Sequence, residues 1–272
     1  MKKFVVAATC ALLVLLPTTF VRADLLTEYG INIEDTNNFS DNINLFQLFN
    51  NYFADQLGSG GLYTGSNELF LDRGVDPYTD WTTSSSQLVG AFKVADLGHQ
   101  LNMLDSSDNL VAGLMHVGGT ANIGQADGIT DLSGQSVIDI ADGLHVNFQL
   151  NAYWGDTLVY SWASTPDQND GSLGLPGDGM VHMLAMDITD LYNAKYGTTN
   201  DSVYMFAWED LHLTAAGGGQ PADWDYQDFV AIMTNVRPNS EIQATPEPAT
   251  MVMFGLGGLV GALAYRRRKR WD

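Results

Sequence analysis

LHVNFQLNAYWGDTLVYSWAS, residues 144–164, alternates apolar and polar side chains and then turns. Val146, Phe148, Leu150 and Ala152 take every second place, with Asn147, Gln149 and Asn151 between them. An extended chain sends alternate side chains to opposite faces, so this spacing predicts a half-buried strand. Trp154-Gly155-Asp156 supplies a turn and Leu158-Val159-Tyr160 opens the next run, the pattern of a β-hairpin.

Similar runs recur on both sides. Strands are expected at Leu144–Tyr153, Thr157–Ser164, Ser86–Val94, Asn109–His116, Ser136–Asp139, Gly179–Asp187, Ser202–Trp208 and Phe229–Val236. Turn residues separate them roughly every 8–15 residues, as in an all-β protein with a β-sandwich or jelly-roll-like core. Two short helices interrupt this pattern. Leu45, Phe46, Leu48, Phe49, Tyr52 and Phe53 recur at helical spacing within 42–56, with Ser40 or Asp41 as candidate cap. Residues 187–195, DITDLYNAK, form the second, capped by Asp187 or Thr189. The β-rich body is expected over 24–236, beginning with a polar lead-in (24–41), and a polar linker over 237–245.

Both ends read as export signals. Met1-Lys2-Lys3 is followed by an apolar run from Phe4 to Leu16, and Val21-Arg22-Ala23 offers a cleavage site before Asp24. That is the build of a secretory signal peptide, residues 1–23, which implies a translocon and a signal peptidase as partners. The single Cys10 lies inside it, so the exported chain has no disulfide to hold it.

The other end reads TPEPATMVMFGLGGLVGALAYRRRKRWD, residues 245–272. Residues 249–265 carry no charge, and 17 helical residues rise about 25 Å, enough to span a thin bilayer as a transmembrane helix. Arg266, Arg267, Arg268, Lys269 and Arg270 would hold its end in the cytoplasm. Physics alone is equally content with a plain single-pass anchor. Pro246-Glu247-Pro248, the apolar helix and the basic cluster, taken together, resemble the PEP-CTERM sorting signal of Gram-negative bacteria. The resemblance covers residues 246–272. It implies recognition by an exosortase near Pro246–Pro248, loss of the helix, and passage from an inner-membrane-anchored precursor to the cell surface or extracellular matrix.

Between Asp24 and Ala244 only Arg73, Lys93, Lys195 and Arg237 oppose thirty acidic residues, a balance of −26. Such a body repels nucleic acid and anionic membranes and attracts divalent cations. A self-repelling, soluble surface explains the same charge. The densest acidic stretch is FAWEDLHLTAAGGGQPADWDYQDFVAIM, residues 206–233. If the strands flanking its Gly217-Gly218-Gly219 loop pair, Glu209, Asp210, Asp223, Asp225 and Asp228 converge. Several carboxylates and loop carbonyls are what Ca²⁺ requires. The competing reading is a turn network, in which the same carboxylates bond loop N–H groups. The stretch resembles the C-terminal end of an uncharacterised acidic β-domain family of exported bacterial surface proteins, with Gln227 where that family has Asn. A second acidic loop over 166–179 (Asp167, Asn169, Asp170, Asp178) places its glycine wrongly for an EF-hand.

No enzymatic activity is expected. His99, His116, His145, His182 and His212 are scattered without HExxH spacing, and neither a G-x-S-x-G elbow nor an exported cysteine is present. A carbohydrate-active enzyme would need two facing carboxylates in a cleft. Tyr153, Trp154 and Trp162 are candidate glycan contacts, since aromatic faces stack on sugar rings, although core packing uses the same residues. The expected protein is a non-catalytic surface or exopolysaccharide-associated one, with a Ca²⁺- or glycan-binding module as the alternative.

Overall fold

The computed structural model describes residues 43–77, 79–93, 95–119, 129–132, 140–169, 177–212 and 222–239. The chain divides into two units, Met1–Pro238 and Asn239–Asp272, and every element below belongs to the first. The signal peptide, lead-in, expected strand at 136–139, apolar tail and its motifs lie outside the described residues, as do Ser40 and Asp41. Among the described residues no helix is long and apolar enough to cross a membrane.

The protein is mainly β. Among the described residues nine strands, β1 Trp81–Lys93, β2 Gly98–Asp105, β3 Leu110–Val117, β4 Thr130–Asp131, β5 His145–Trp154, β6 Thr157–Ala163, β7 Met183–Asp187, β8 Val203–Trp208 and β9 Phe229–Pro238, form one open antiparallel sheet. The main path runs β3-β2-β5-β1-β9-β8-β7, with β6 on β5 and β4 on β1. The quoted hairpin is β5–β6, paired Gln149↔Ala163 to Trp154↔Thr157. β9 continues through Arg237 and Pro238 into the expected linker, where Pro238 pairs with Trp81.

Only Trp81 and Thr82 join β1 to β5. Past that two-residue seam the sheet parts and folds over, so one layer (β3-β2-β5-β6) faces the other (β1-β9-β8-β7) as in a sandwich. A shared core fills the space between. Leu101, Met103, Phe148, Leu150 and Trp162 come from the first layer and Ala185, Phe206, Phe229, Ala231 and Met233 from the second. Trp81 sits at the seam, 5.0 Å from Phe206 and 6.2 Å from Phe148 by ring centroids, and Phe148 meets Phe206 at 4.7 Å.

The second layer has another apolar face. Val89, Met186, Met205, Val230 and Ile232 pack there against α1 Leu45–Tyr52 and α4 Thr189–Tyr196. Leu45, Leu48, Phe49 and Tyr52 give α1 its buried stripe. Asn44 caps it, in a capping box whose Gln47 Oε1 accepts the Asn44 N–H at 2.9 Å. The periodicity expected over 42–56 breaks at Phe53, and a short α2, Ala54–Leu57, follows. α3, Ser66–Arg73, was not foreseen. Arg73 ties it to α4 by a two-pronged contact with Asp190, at 2.8 and 3.3 Å. Because β8 is buried on both faces, its sequence VYMFAW runs apolar without alternation.

Phe148→Ala should destabilise the domain by about 3–5 kcal/mol, the range for deleting a buried aromatic. Leu110→Lys, on an exposed position of β3, should change stability by less than about 0.5 kcal/mol. Urea unfolding of the two variants checks both.

Candidate metal centre

Trp208 at the end of β8 pairs with Phe229 at the start of β9. Glu209 therefore leaves one strand where Asp228 enters the other. The loop before β9 brings in two more carboxylates by an unexpected route. The sequence suggested an extended chain with Asp223 and Asp225 on one side. Instead Trp224 and Tyr226 take left-handed backbone angles, φ 57° and 55°, uncommon for large side chains and a recurrent mark of functional loops. Tyr226 is anchored by its buried ring and by its hydroxyl, which donates to the Val181 carbonyl at 2.7 Å. One ligand oxygen from each of Glu209, Asp223, Asp225 and Asp228 lies within 4.8 Å of the others.

Surrounding donors fix these carboxylates. The Trp224 N–H donates to Glu209 Oε2 at 2.8 Å and the Leu211 N–H to Oε1 at 3.1 Å. The Asp210 N–H donates to Asp228 Oδ2 at 2.9 Å. Gln227 donates to Asp225 through its backbone N–H and through Nε2, at 3.2 and 2.7 Å. Gln227 thus orients a neighbouring carboxylate, while its own Oε1 is buried with no hydrogen-bond partner. The turn-network reading and the metal reading both describe this loop, since each carboxylate oxygen has a second lone pair to offer.

Electrostatics separates the two. Glu209 has no exposed surface. Burial first, then the charges of Asp228, Asp210, Asp223 and Asp225, push its pKa well above the carboxylate range. Burial, then Asp210 and Asp223, do the same to Asp228. Asp225 is pushed up to about 9 by burial, then by Asp228 and Asp223, against the pull of the Gln227 bonds. Three groups so shifted, with Asp223 beside them, are held by protons or by a cation. Opposite ligands of a Ca²⁺ ion stand about 4.6–5.2 Å apart, twice its 2.3–2.6 Å bond length, whereas Mg²⁺ asks for about 4.0–4.2 Å. All four oxygens lie within 4.8 Å of one another, a bound that admits either ion.

Asp210 does not join them. Its Oδ2 faces His99 Nε2 at 2.6 Å in the interior. Burial raises Asp210 to about 7, against the pull of Lys93, and burial followed by the Lys93 charge lowers His99 to about 3. The lowered pKa keeps the imidazole neutral, with Nε2 on Asp210 and Nδ1 without a partner. The Lys93 ammonium is itself buried and donates to the carbonyls of Ala95 and Gly119.

Trp162 is also interior. Its indole stacks on His182 at 3.6 Å and donates to the Asp210 carbonyl at 2.8 Å, so its ring is closed to a glycan and instead backs the acidic loop. His182 Nδ1 meets the Glu209 carbonyl at 3.0 Å and Nε2 meets Asp178 Oδ1 at 3.0 Å. Of the other aromatic candidates, Tyr153 is half-buried and Trp154, on the β5–β6 hairpin tip, is 69% exposed. In the 166–179 loop, Asn169 staples the backbone at Ala163 and Met180, and Asp178 accepts the Met180 N–H. His99, Lys93 and His182 support the site from 27 to 116 residues away in sequence from Glu209, and no local pattern announces them.

The remaining sequence motif lies in the tail. Residues 244–269 match the family model of the PEP-CTERM protein-sorting motif, a span that takes in Pro246–Pro248 and Arg266–Lys269. That match defines an exported surface protein made as a membrane-anchored precursor and processed by an exosortase. The chain therefore carries a PEP-CTERM sorting motif at residues 244–269, and that match does not extend to the β domain. No curated protein matches it. Among solved structures, the C-terminal domain of the BC2L-C lectin from Burkholderia cenocepacia aligns at 12% identity over 57% of this chain and 93% of that one, with a TM-score of 0.28.

A carboxylate whose pKa is higher folded than unfolded favours the fold below its unfolded value and loses that contribution as pH rises through the folded one. With chelator present, the melting temperature should therefore fall between about pH 4 and pH 9, the interval over which Asp225 is shifted. Each kcal/mol lost should lower it by roughly 2–4 °C in a domain of this size. Melts across that range, with and without Ca²⁺, check the sign.

Proposed function

We propose that the β domain is a non-catalytic surface module held by Ca²⁺ at Glu209, Asp223, Asp225 and Asp228. The convergence of four carboxylate oxygens within 4.8 Å, around a residue with no exposed surface, carries the reading. Bound Ca²⁺ supplies the positive charge that these groups lack in the fold. The backbone N–H groups of Asp210, Leu211, Trp224 and Gln227 orient the ligands.

In this reading the chain crosses the inner membrane of a Gram-negative cell through the secretion translocon and loses residues 1–23 to signal peptidase. It waits on its C-terminal helix until an exosortase releases it to the surface or the exopolysaccharide matrix, where it is a structural or adhesive component. Extracellular Ca²⁺-binding modules typically work at dissociation constants of about 10⁻⁴–10⁻³ M. The strongly acidic body supports a cation-dependent role over one in contact with nucleic acid.

Saturating Ca²⁺, at about a hundred times its dissociation constant, should stabilise the full chain by about 2.7 kcal/mol, or roughly 5–10 °C. Asp223→Asn, at the more exposed of the ligand positions, should abolish most of that gain. A melt indifferent to both Ca²⁺ and chelator would remove the metal. For sorting, replacing Pro246 and Pro248 by Ala in an exosortase-bearing host should trap the precursor in the membrane fraction. Release at the wild-type rate would contradict processing at that motif.

A further inference from the structure

The outward face of the first layer carries a set of groups that neither the core nor the acidic loop uses. In β2 and β5 the residues that alternate with the core, Gln100, Asn102, Gln149 and Asn151, are all amides. The register aligns them in two cross-strand rows, Gln100 opposite Asn151 and Asn102 opposite Gln149. Ser161 extends the first row on β6, and His116 extends it on β3. None of these four amide positions carries a charge, on a chain of net charge −20.

The amides bond to one another so that each row keeps free groups. Tyr153 Oη donates to Gln100 Oε1 at 3.0 Å, Asn102 Nδ2 to Gln149 Oε1 at 3.2 Å and Ser161 Oγ to Asn151 Oδ1 at 2.8 Å. Every amide oxygen but one is thereby occupied. The NH₂ groups of Gln100, Gln149 and Asn151 have no partner among the described residues. The remaining oxygen, Asn102 Oδ1, is buried and also without a partner. It lies beside Gly113, where a side-chain Cβ would stand 3.8 Å away. The same Cβ would stand 3.7 Å from Gln100 Nε2, so the glycine keeps a β3 side chain off that amide.

Two features bound the face. At one end Gln168 Nε2 reaches Asp108 Oδ1 at 2.8 Å, tying the end of β6 to the β2–β3 turn. At the other, the Tyr153 ring leans edge-on toward His116, 6.2 Å between centroids, and the exposed Trp154 stands on the hairpin tip. Strands lie about 4.8 Å apart, so the NH₂ groups present donors at roughly that spacing across the face. Aromatic surface at the rim provides stacking for an apolar ring face.

We propose that this face binds a neutral polysaccharide. The amide NH₂ groups of Gln100, Gln149 and Asn151 donate to sugar hydroxyls, and Tyr153 takes a ring face. Anionic glycans are excluded by the acidic body, since the face has no Lys or Arg to offset it. The inference uses none of the four clustered carboxylates. It relies on the matrix reading only for the natural source of the glycan.

The test uses the full chain in a sugar-free detergent, titrated calorimetrically with a soluble β-glucan, a mannan and dextran, with alginate as the anionic control. Binding to at least one neutral polymer and none to alginate is expected. Gln100→Ala with Asn151→Ala should weaken that binding by about tenfold or more. Gly113→Leu, whose side chain would cover Gln100 Nε2 from an exposed strand position, should weaken it comparably, with melting temperatures near wild type. If the double variant does not fold, the Gly113→Leu result decides. Absence of binding to all three neutral polymers overturns the proposal, as does wild-type affinity in Gly113→Leu. A chain that binds Ca²⁺ and is released by exosortase, yet ignores every neutral polymer, sinks this inference alone.

Discussion

The pairing of β8 with β9 is the contact on which the rest of the molecule depends. Both strands are buried on both faces, so one ladder of hydrogen bonds sets two cores at once. On one side Met205 and Ile232 meet the helices, and on the other Phe206 and Ala231 meet the folded-over layer. The same register ends the ladder at Trp208 and Phe229, which puts Glu209 and Asp228 at one mouth. Apolar burial of this extent can carry a local electrostatic cost that an isolated hairpin would not survive.

That cost is concentrated. Desolvation outweighs every favourable bond around Glu209 and Asp228, because the N–H groups that hold their oxygens are dipoles facing several full charges. The neighbouring Asp210–His99 pair solves a similar problem differently. There a single carboxylate meets a single imidazole, and the buried Lys93 ammonium opposes its charge. Two adjacent residues of one loop are thus stabilised by different chemistry because they point in opposite directions.

The sequence made some of this legible. The β5–β6 hairpin could be read because its apolar residues alternate and its turn is short. The acidic loop could be read because strands flank it closely enough to pair. β2 was missed, although His99, Leu101 and Met103 alternate correctly, because Gln100 and Asn102 dilute the apolar signal of GHQLNMLD. The first half of β1, WTTSS, has almost no apolar content, and Trp81 earns its place only through contacts across the fold. Asp210 was grouped with Glu209 by adjacency, whereas neighbours on an extended chain face opposite sides. Its partner His99 is 111 residues away. Trp162 is inward because it pairs with Leu150, a matter of register that composition does not carry.

The crowding of like charges at Glu209 also bears on where the chain can fold. In a compartment poor in Ca²⁺ these groups oppose closure of the β8–β9 mouth, and a chain that closes slowly remains competent to thread through a translocon. On the Ca²⁺ reading, millimolar cation outside would remove the opposition. On that reading, the acidic loop is a timing device, delaying the native state until the polypeptide has reached the side of the membrane where it works.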